Sequence, residues 1–249
     1  MAIVAPAVFR VDRGYVAVEG LEAADFLERM LSNEVASLEP GEARQALLLT
    51  PKGRIVAPLR VVRELAERFL LITEAGLAET VATALLRARF AAKCEIEVKP
   101  YRGYLQLGPG EGVRNDDYGI EAYESWSEEE REVSDPGELE ALRIEAGTPV
   151  WGRELDDSIL PAEAGLEATH ISFTKGCYPG QEPVARLHHR GHPNRGLRVL
   201  DLDAQPGDEL VYEGKVVGRV TSAASGKALA YVRREVPEDA RLDLASKRP

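Results

Sequence analysis

A chain of 249 residues with 44% hydrophobic and 29% charged residues, and no low-complexity tract, has the composition of an ordinary globular protein of two or three modest domains. Its net charge of −11 argues against a general nucleic-acid or anionic-membrane binder, and no apolar run approaches the ~20 residues of a membrane span. Two distant cysteines, Cys94 and Cys177, do not form a secreted disulfide framework. Met1 to Pro6 lacks the basic start and apolar core of a signal peptide, so a cytoplasmic protein is expected.

In chain order, Tyr15 to Gly20 reads as a strand ending at glycine. Ala23, Phe26, Leu27, Met30 and Leu31 then fall at i, i+3, i+4, i+7 and i+8, the stripe of an amphipathic helix. Arg44 to Thr50 and Ile55 to Val62 are strands joined by the turn Pro51-Lys52-Gly53-Arg54, and Phe69 to Thr73 is another. A second helix carries Leu77, Val81, Ala84, Leu85 and Ala88 on one face. Cys94-Glu95-Ile96-Glu97-Val98 alternates as a half-exposed strand, which puts Cys94 on the apolar face as a structural residue. This order predicts helices on one side of an antiparallel or mixed sheet, an α+β layer. The charged run Ser127 to Glu132 reads as solvated surface. Asp135-Pro136 supplies a cap and first turn for a helix through Ala146, closed by Gly147. From Gly191 onward about five short strands (197–202, 209–212, 216–220, 228–232, 241–244), with a tight turn at Glu213-Gly214, predict a small β-barrel or sandwich.

Two clusters carry candidate chemistry. In Lys175-Gly176-Cys177-Tyr178-Pro179-Gly180 the thiol stands between glycines, two residues from a lysine. Pro183 fits the first turn of a short helix just beyond, and both the lysine and the helix start favour thiolate. The alternative is an interdomain turn with an inert packed cysteine. His188, His189 and His192 follow, but their spacing matches no standard zinc site and does not single out a Cys–His pair, so no metal is expected. The second cluster is Arg143 and Glu145, then Trp151, Arg153, Glu154, Asp156 and Asp157. A carboxylate there can accept the paired N–H edge of an aminopyrimidine-like ring and Trp151 can stack on it. The same residues also suit a solvated helix end with a tryptophan sealing the core.

Residues 171–186 resemble the K-G-C-[YF]-x-G-Q-E signature of the YgfZ family, folate-binding relatives of the glycine-cleavage T-protein, an aminomethyltransferase. Arg190-Gly191, Arg195 and Leu197 are similar too, as are Leu142 to Gly147, Gly152 to Leu155, Val18 to Gly20, Leu49 to Arg54 and Val217 to Ser222, so the likeness spans nearly the whole chain. The resemblance implies an aminomethyltransferase-like, tetrahydrofolate-binding α+β fold over residues 1–190, in two subdomains around a central opening, with a small C-terminal β-barrel over 191–249. It places pterin contact on Glu145 and activity on Cys177, and it draws Trp151, Glu154, Lys175, Gln181, Glu182 and Arg186 into the folate-binding set. The implied role is support of iron–sulfur cluster assembly or repair and of dependent tRNA modification. The protein would be a monomer that meets folate and iron–sulfur client enzymes, without stable nucleic-acid or membrane binding. The alternative is a tetrahydrofolate-dependent one-carbon transferase. Where aminomethyltransferases carry an Asn-Ala motif and then an aspartate, this chain has Glu74 and Val81. A valine can neither stabilise developing charge nor relay a proton, which tells against the transferase reaction.

Overall fold

The computed structural model describes residues 7–134, 137 and 139–245; the expected helix start at Asp135-Pro136 lies outside the described residues. Strands β1 (Val8–Val11) and β2 (Arg13–Glu19) are consecutive but enter different sheets. Strand β2 joins β3 (Ala43–Leu49), β4 (Ile55–Leu65), β5 (Arg68–Glu74) and β6 (Glu95–Lys99) in an antiparallel sheet of order β3-β4-β5-β2-β6. Helices α1 (Ala23–Met30) and α2 (Ala78–Arg89) both lie on one face of it, where Phe26, Leu27, Val81 and Leu85 pack on Val16, Val18, Leu59, Val61, Phe69 and Leu71. Cys94 is buried in that core, beside Ile96 and Val98, as the alternation predicts. Val81 also lies wholly inside it.

The helix-free face follows from the two-residue period of strands. On β2 it carries Arg13, Tyr15 and Ala17; on β5, Leu70, Ile72 and Glu74; on β4, Arg60 and Val62; on β3, Ala43 and Gln45. Tyr15, Ala17, Val62, Leu70 and Ile72 form an apolar patch closed by Val113 and Trp126 of a second sheet. That sheet contains β1, β7 (Arg102–Leu107), β8 (Val113–Arg114) and β9 (Ala122–Ser127), in the order β1-β7-β9-β8. The polar residues at the other end of the face are left to line the space between the sheets.

Helix α3 (Leu139–Ala146) ends at Gly147, which takes a positive φ of 76° and donates to the Ile144 carbonyl. Residues 147–180, including α4 (Glu167–His170), wrap the first sheet; Leu155, Ile159, Leu166, Ile171 and Tyr178 pack on Leu47, Leu49 and Ile55. Helix α5 (Gln181–Arg190) adds Val184 to this core, and Pro183 sits in its first turn as expected. The chain then forms β10 (Arg195–Asp201), β11 (Glu209–Tyr212), β12 (Lys215–Ala224), β13 (Lys227–Arg233) and β14 (Asp243–Leu244), paired in the order β10-β13-β12-β11-β14. Glu213 and Gly214, both at positive φ, make the expected two-residue turn between β11 and β12. The expected barrel is instead an open five-stranded sheet: among the described residues no pairing joins edge strands β10 and β14. No helix among the described residues is long and apolar enough to cross a membrane.

Candidate functional site

Between the two N-terminal sheets lies a cavity of about 270 Å³. One wall is the polar end of the helix-free face, with Gln45, Arg60, Arg13 and Glu74. The facing wall holds Asp117, after β8, and Glu124, on β9. The turn after α3 (Ala146 to Pro149) and the stretch ending in His170 complete the enclosure. Arg13 and Glu74 are direct cross-strand partners in the β2–β5 register, so their side chains share the face by necessity.

The charges form a network. Arg13 Nε meets Glu124 at 3.2 Å, Nη2 meets Asp117 at 3.2 Å and Nη1 stands 3.6 Å from Glu74. Arg60 donates to Asp117 Oδ1 at 2.8 Å and to the Arg114 carbonyl at 2.6 Å. Gln45 also donates to Asp117 Oδ1, and the buried Asn115 amide donates to Glu124 Oε2 at 2.6 Å. Burial pulls the Arg13 pKa down, but Glu124, Glu74 and Asp117 outweigh it and hold it well above its ordinary value. For Asp117 burial acts upward, and Arg60 and Arg13 overcome it to keep the carboxyl below the usual range. Glu74 goes the other way: burial raises it, Arg13 opposes, and Asp117 and Glu124 add to the rise. Burial also lowers His170 to about 4, so at neutral pH its imidazole is uncharged; Nδ1 shares a 2.7 Å hydrogen bond with the Thr169 hydroxyl.

None of the residues expected from the sequence to bind folate or to react lines this cavity; Glu74, noted there only as a departure from the aminomethyltransferase pattern, does. Glu145 is exposed on α3 and stands 3.7 Å from Lys227 Nζ. Trp151 packs between the first core and the core of the wrapping segment, the sealing position. Glu154 is fully buried in a junction with the C-terminal sheet, accepting from Arg143 Nη1 and Val150 N–H, each at 3.1 Å, and from Ser222 Oγ at 2.6 Å. Lys175 is turned inward rather than toward the thiol. Its ammonium donates to the carbonyls of Glu28, Leu31 and Asn33 at 2.7–2.9 Å and meets the Glu28 carboxylate at 3.1 Å, where it satisfies the open end of α1.

Cys177 is exposed, four residues before α5, in a loop braced from below. Gly180 takes a left-handed φ of 85°, and a Cβ there would lie 2.5 Å from the Thr50 carbonyl oxygen, so the Pro51-Lys52-Gly53 turn and the cysteine loop touch backbone to backbone. Gln181, Glu182 and Arg186 lie on α5 itself. His188 stacks on Phe173 with centroids 3.9 Å apart, and His189 meets His188 edge-on at 5.0 Å. Among the described residues, no three His, Cys, Asp or Glu side chains gather at metal-binding spacing. The signature residues thus gather in one outer loop and helix, whereas the converging polar groups lie in the cavity. Arg13, Arg60, Glu74, Asp117, Glu124 and His170 come from six separate parts of the chain, and no motif spacing links them.

The comparisons with known proteins agree with this architecture. The GCVT N-terminal domain family matches residues 12–104, which carry the first sheet, both its helices and the start of the second sheet. The crystal structure of glycine cleavage system aminomethyltransferase T from Bartonella henselae superposes with a TM-score of 0.79 over 91% of this chain and 78% of that one, at 21% identity. These define an aminomethyltransferase-type fold. An uncharacterised protein of Haemophilus influenzae is 26% identical over 84% of this chain and 81% of its own length. The tRNA-modifying protein YgfZ of Edwardsiella ictaluri is 36% identical over 43% of this chain and 37% of its own length. Residues 12–104 thus resemble the GCVT N-terminal domain, and part of the chain is similar to the tRNA-modifying protein YgfZ.

Proposed function

We propose that the protein binds tetrahydrofolate in the cavity between its N-terminal sheets and acts as a cytoplasmic, monomeric accessory factor for iron–sulfur enzymes, including those on which tRNA modification depends. The observation that carries the reading is the cavity: two guanidinium groups, the carboxyl groups of Glu74, Asp116, Asp117 and Glu124, and a neutral imidazole line about 270 Å³. That space suits the ring half of a folate, with the tail leaving toward solvent. Cys177, exposed in its braced loop, is the group proposed to react, at a surface a client can reach. Aminomethyl transfer is not part of the proposal. Val81 is sealed in the first core, and the carboxylates of Asp117 and Glu124 are held by Arg13, Arg60 and Asn115.

Two measurements test this. Calorimetry should show tetrahydrofolate binding at micromolar strength or weaker, on the order of −8 kcal/mol or less in magnitude. A deletion strain should lose iron–sulfur enzyme activity and regain it with the wild-type gene but not with Cys177→Ser. Rescue by Cys177→Ser would remove the thiol from the mechanism, and methylene-tetrahydrofolate production from an aminomethylated carrier would move the protein to the transferases.

A further inference from the structure

A second cleft, of about 950 Å³, lies apart from the cavity and shares no lining residue with it. It opens where the turn ending in Arg54, the segment from Ser158 to Glu163 and the β10–β13 end of the C-terminal sheet meet. Arg195 and Arg233 are direct cross-strand partners in the β10–β13 register, so two guanidinium groups stand on one face of adjacent strands. Like charges placed opposite each other in this way weaken a sheet. The Arg234 N–H donates to the Asn194 carbonyl at 2.9 Å, which draws Arg234 and His192 to the same mouth. Four arginines thus line the cleft against two carboxylates, in a chain whose net charge is −11. Those carboxylates leave the cations unspent. Glu163 is fully committed, accepting from Arg195 Nε at 3.1 Å and from the Leu160 N–H at 3.0 Å. Glu235 stands 3.6 Å from Arg233, beyond hydrogen-bond length, with both groups exposed. Among the described residues, the side chains of Arg234 and His192 have no hydrogen-bonding or charged partner.

We propose that this cleft is a second binding site, separate from the cavity, and that it takes a phosphate-bearing ligand. A guanidinium presents paired N–H donors that match two phosphate oxygens. Arg195 is the fixed donor: Glu163 holds its Nε and the Tyr231 ring lies 4.7 Å beneath it, which leaves its two Nη groups to the ligand. Arg233, across the strand pair, and Arg234, beside it, are exposed and free to close on the same group. A phosphate carries roughly two negative charges at neutral pH and enough oxygens to bridge Arg195 and Arg233, whereas a carboxylate is used up by one guanidinium. Bridging also offsets the repulsion between the two arginines. Among the described residues no Phe, Tyr or Trp lines the cleft, so recognition rests on charge rather than on stacking against a ring. A chain of this net charge repels anions over most of its surface, and a locally positive cleft concentrates them at one place. The assignment does not depend on folate binding.

The test is calorimetry on the full chain with inorganic pyrophosphate, in metal-free buffer of low ionic strength. It compares wild type, Arg233→Gln and Arg234→Gln with Arg219→Gln, a control of equal charge change on the same sheet, whose guanidinium pairs with Glu209 outside the cleft. Thermal melts confirm that each variant is folded. Wild type should bind pyrophosphate, Arg233→Gln and Arg234→Gln should each weaken binding about fivefold, and Arg219→Gln should stay within about twofold. A short 5′-phosphorylated RNA then separates the sources of the phosphate. RNA that binds more tightly than pyrophosphate, with the same loss in Arg234→Gln, assigns the site to RNA, and weaker RNA binding assigns it to a free phosphorylated metabolite. The site is overturned if neither probe binds up to millimolar concentration. It is equally overturned if Arg233→Gln and Arg234→Gln bind as wild type does, or if Arg219→Gln loses as much as they do.

Discussion

His170 is buried beside Asp117 and Arg60, and its folded form titrates near 4 where the unfolded chain would titrate at about 6.5. Between these values the unfolded state holds the extra proton, so stability rises with pH across this window. The contribution is complete above about pH 6.5 and is lost progressively as pH falls toward 4. Its upper size, from the two titration points, is on the order of 3 kcal/mol. Glu74 opposes it, because a carboxyl with a raised folded pKa makes the native state the better proton binder above the usual carboxylate range. Asp117, whose pKa is lowered, adds to the acid loss only below about 4. Chemical denaturation between pH 7 and 5 should therefore show declining stability in the wild type, a flatter profile in His170→Asn and a steeper one in Glu74→Gln. Parallel profiles for wild type and His170→Asn would mean that the imidazole is not held neutral. The cavity's electrostatics can thus be read without any ligand.

Among the elements, the first sheet and its helices were the most legible in the sequence, because β2 to β5 each have a continuous apolar run, β6 alternates regularly and each helix has one apolar stripe. β7 and β9 were not. β7 begins with Arg102-Gly103, and β9 alternates Ala122, Glu124 and Trp126 inward, with a glutamate where an apolar residue would have marked the face. Glu124 lies inside because Arg13 and Asn115 meet it there, so one feature hid both the strand and the cavity. The C-terminal strands were legible from their turns, whereas closure or openness of the sheet depends on pairings between distant edges. Lys175 shows the same limit at a helix end. Its place in the signature suggested a partner for the thiol, yet it closes α1 through three carbonyls, which no spacing encodes. Lys175→Ala should cost about 2–3 kcal/mol in urea unfolding, since buried acceptors are left unmet. Fraying at residues 28–33 should appear in amide exchange before the rest of the sheet opens. Wild-type stability in Lys175→Ala would show that water satisfies the helix end as well as the ammonium does.

Across the molecule, the C-terminal sheet is tied to the cavity by one buried carboxylate. Glu154 accepts from Arg143 of α3, from the Val150 N–H and from Ser222 of β12, and its own carbonyl accepts from Tyr231 of β13 at 2.8 Å. Arg143 in turn donates to the Thr148 carbonyl at 2.5 Å, and Thr148 lines the cavity. On the outer side Arg195 lies over the Tyr231 ring and pairs with Glu163 at 3.1 Å, fixing the start of the last sheet to the wrapping segment. The C-terminal sheet therefore meets the rest of the described residues through a buried polar junction whose carboxylate has donors on both oxygens, the kind that breaks sharply when one member goes. Glu154→Ala leaves Arg143 with Glu140 and the Thr148 carbonyl but without its buried counter-charge, leaves the Ser222 hydroxyl without this acceptor, and should cost on the order of 3–5 kcal/mol. The loss should fall unevenly: proteolysis should cut first near residues 191–194, thermal unfolding should split into two transitions, and tetrahydrofolate affinity should drop because the 147–149 wall loses its anchor. Arg143→Met combined with Glu154→Leu, which removes both charges of the pair, should recover part of the stability without restoring the hydrogen bond to Ser222. If Glu154→Ala unfolds in one transition at the wild-type midpoint, the two parts are joined by their apolar contacts and the buried carboxylate is incidental to that joint.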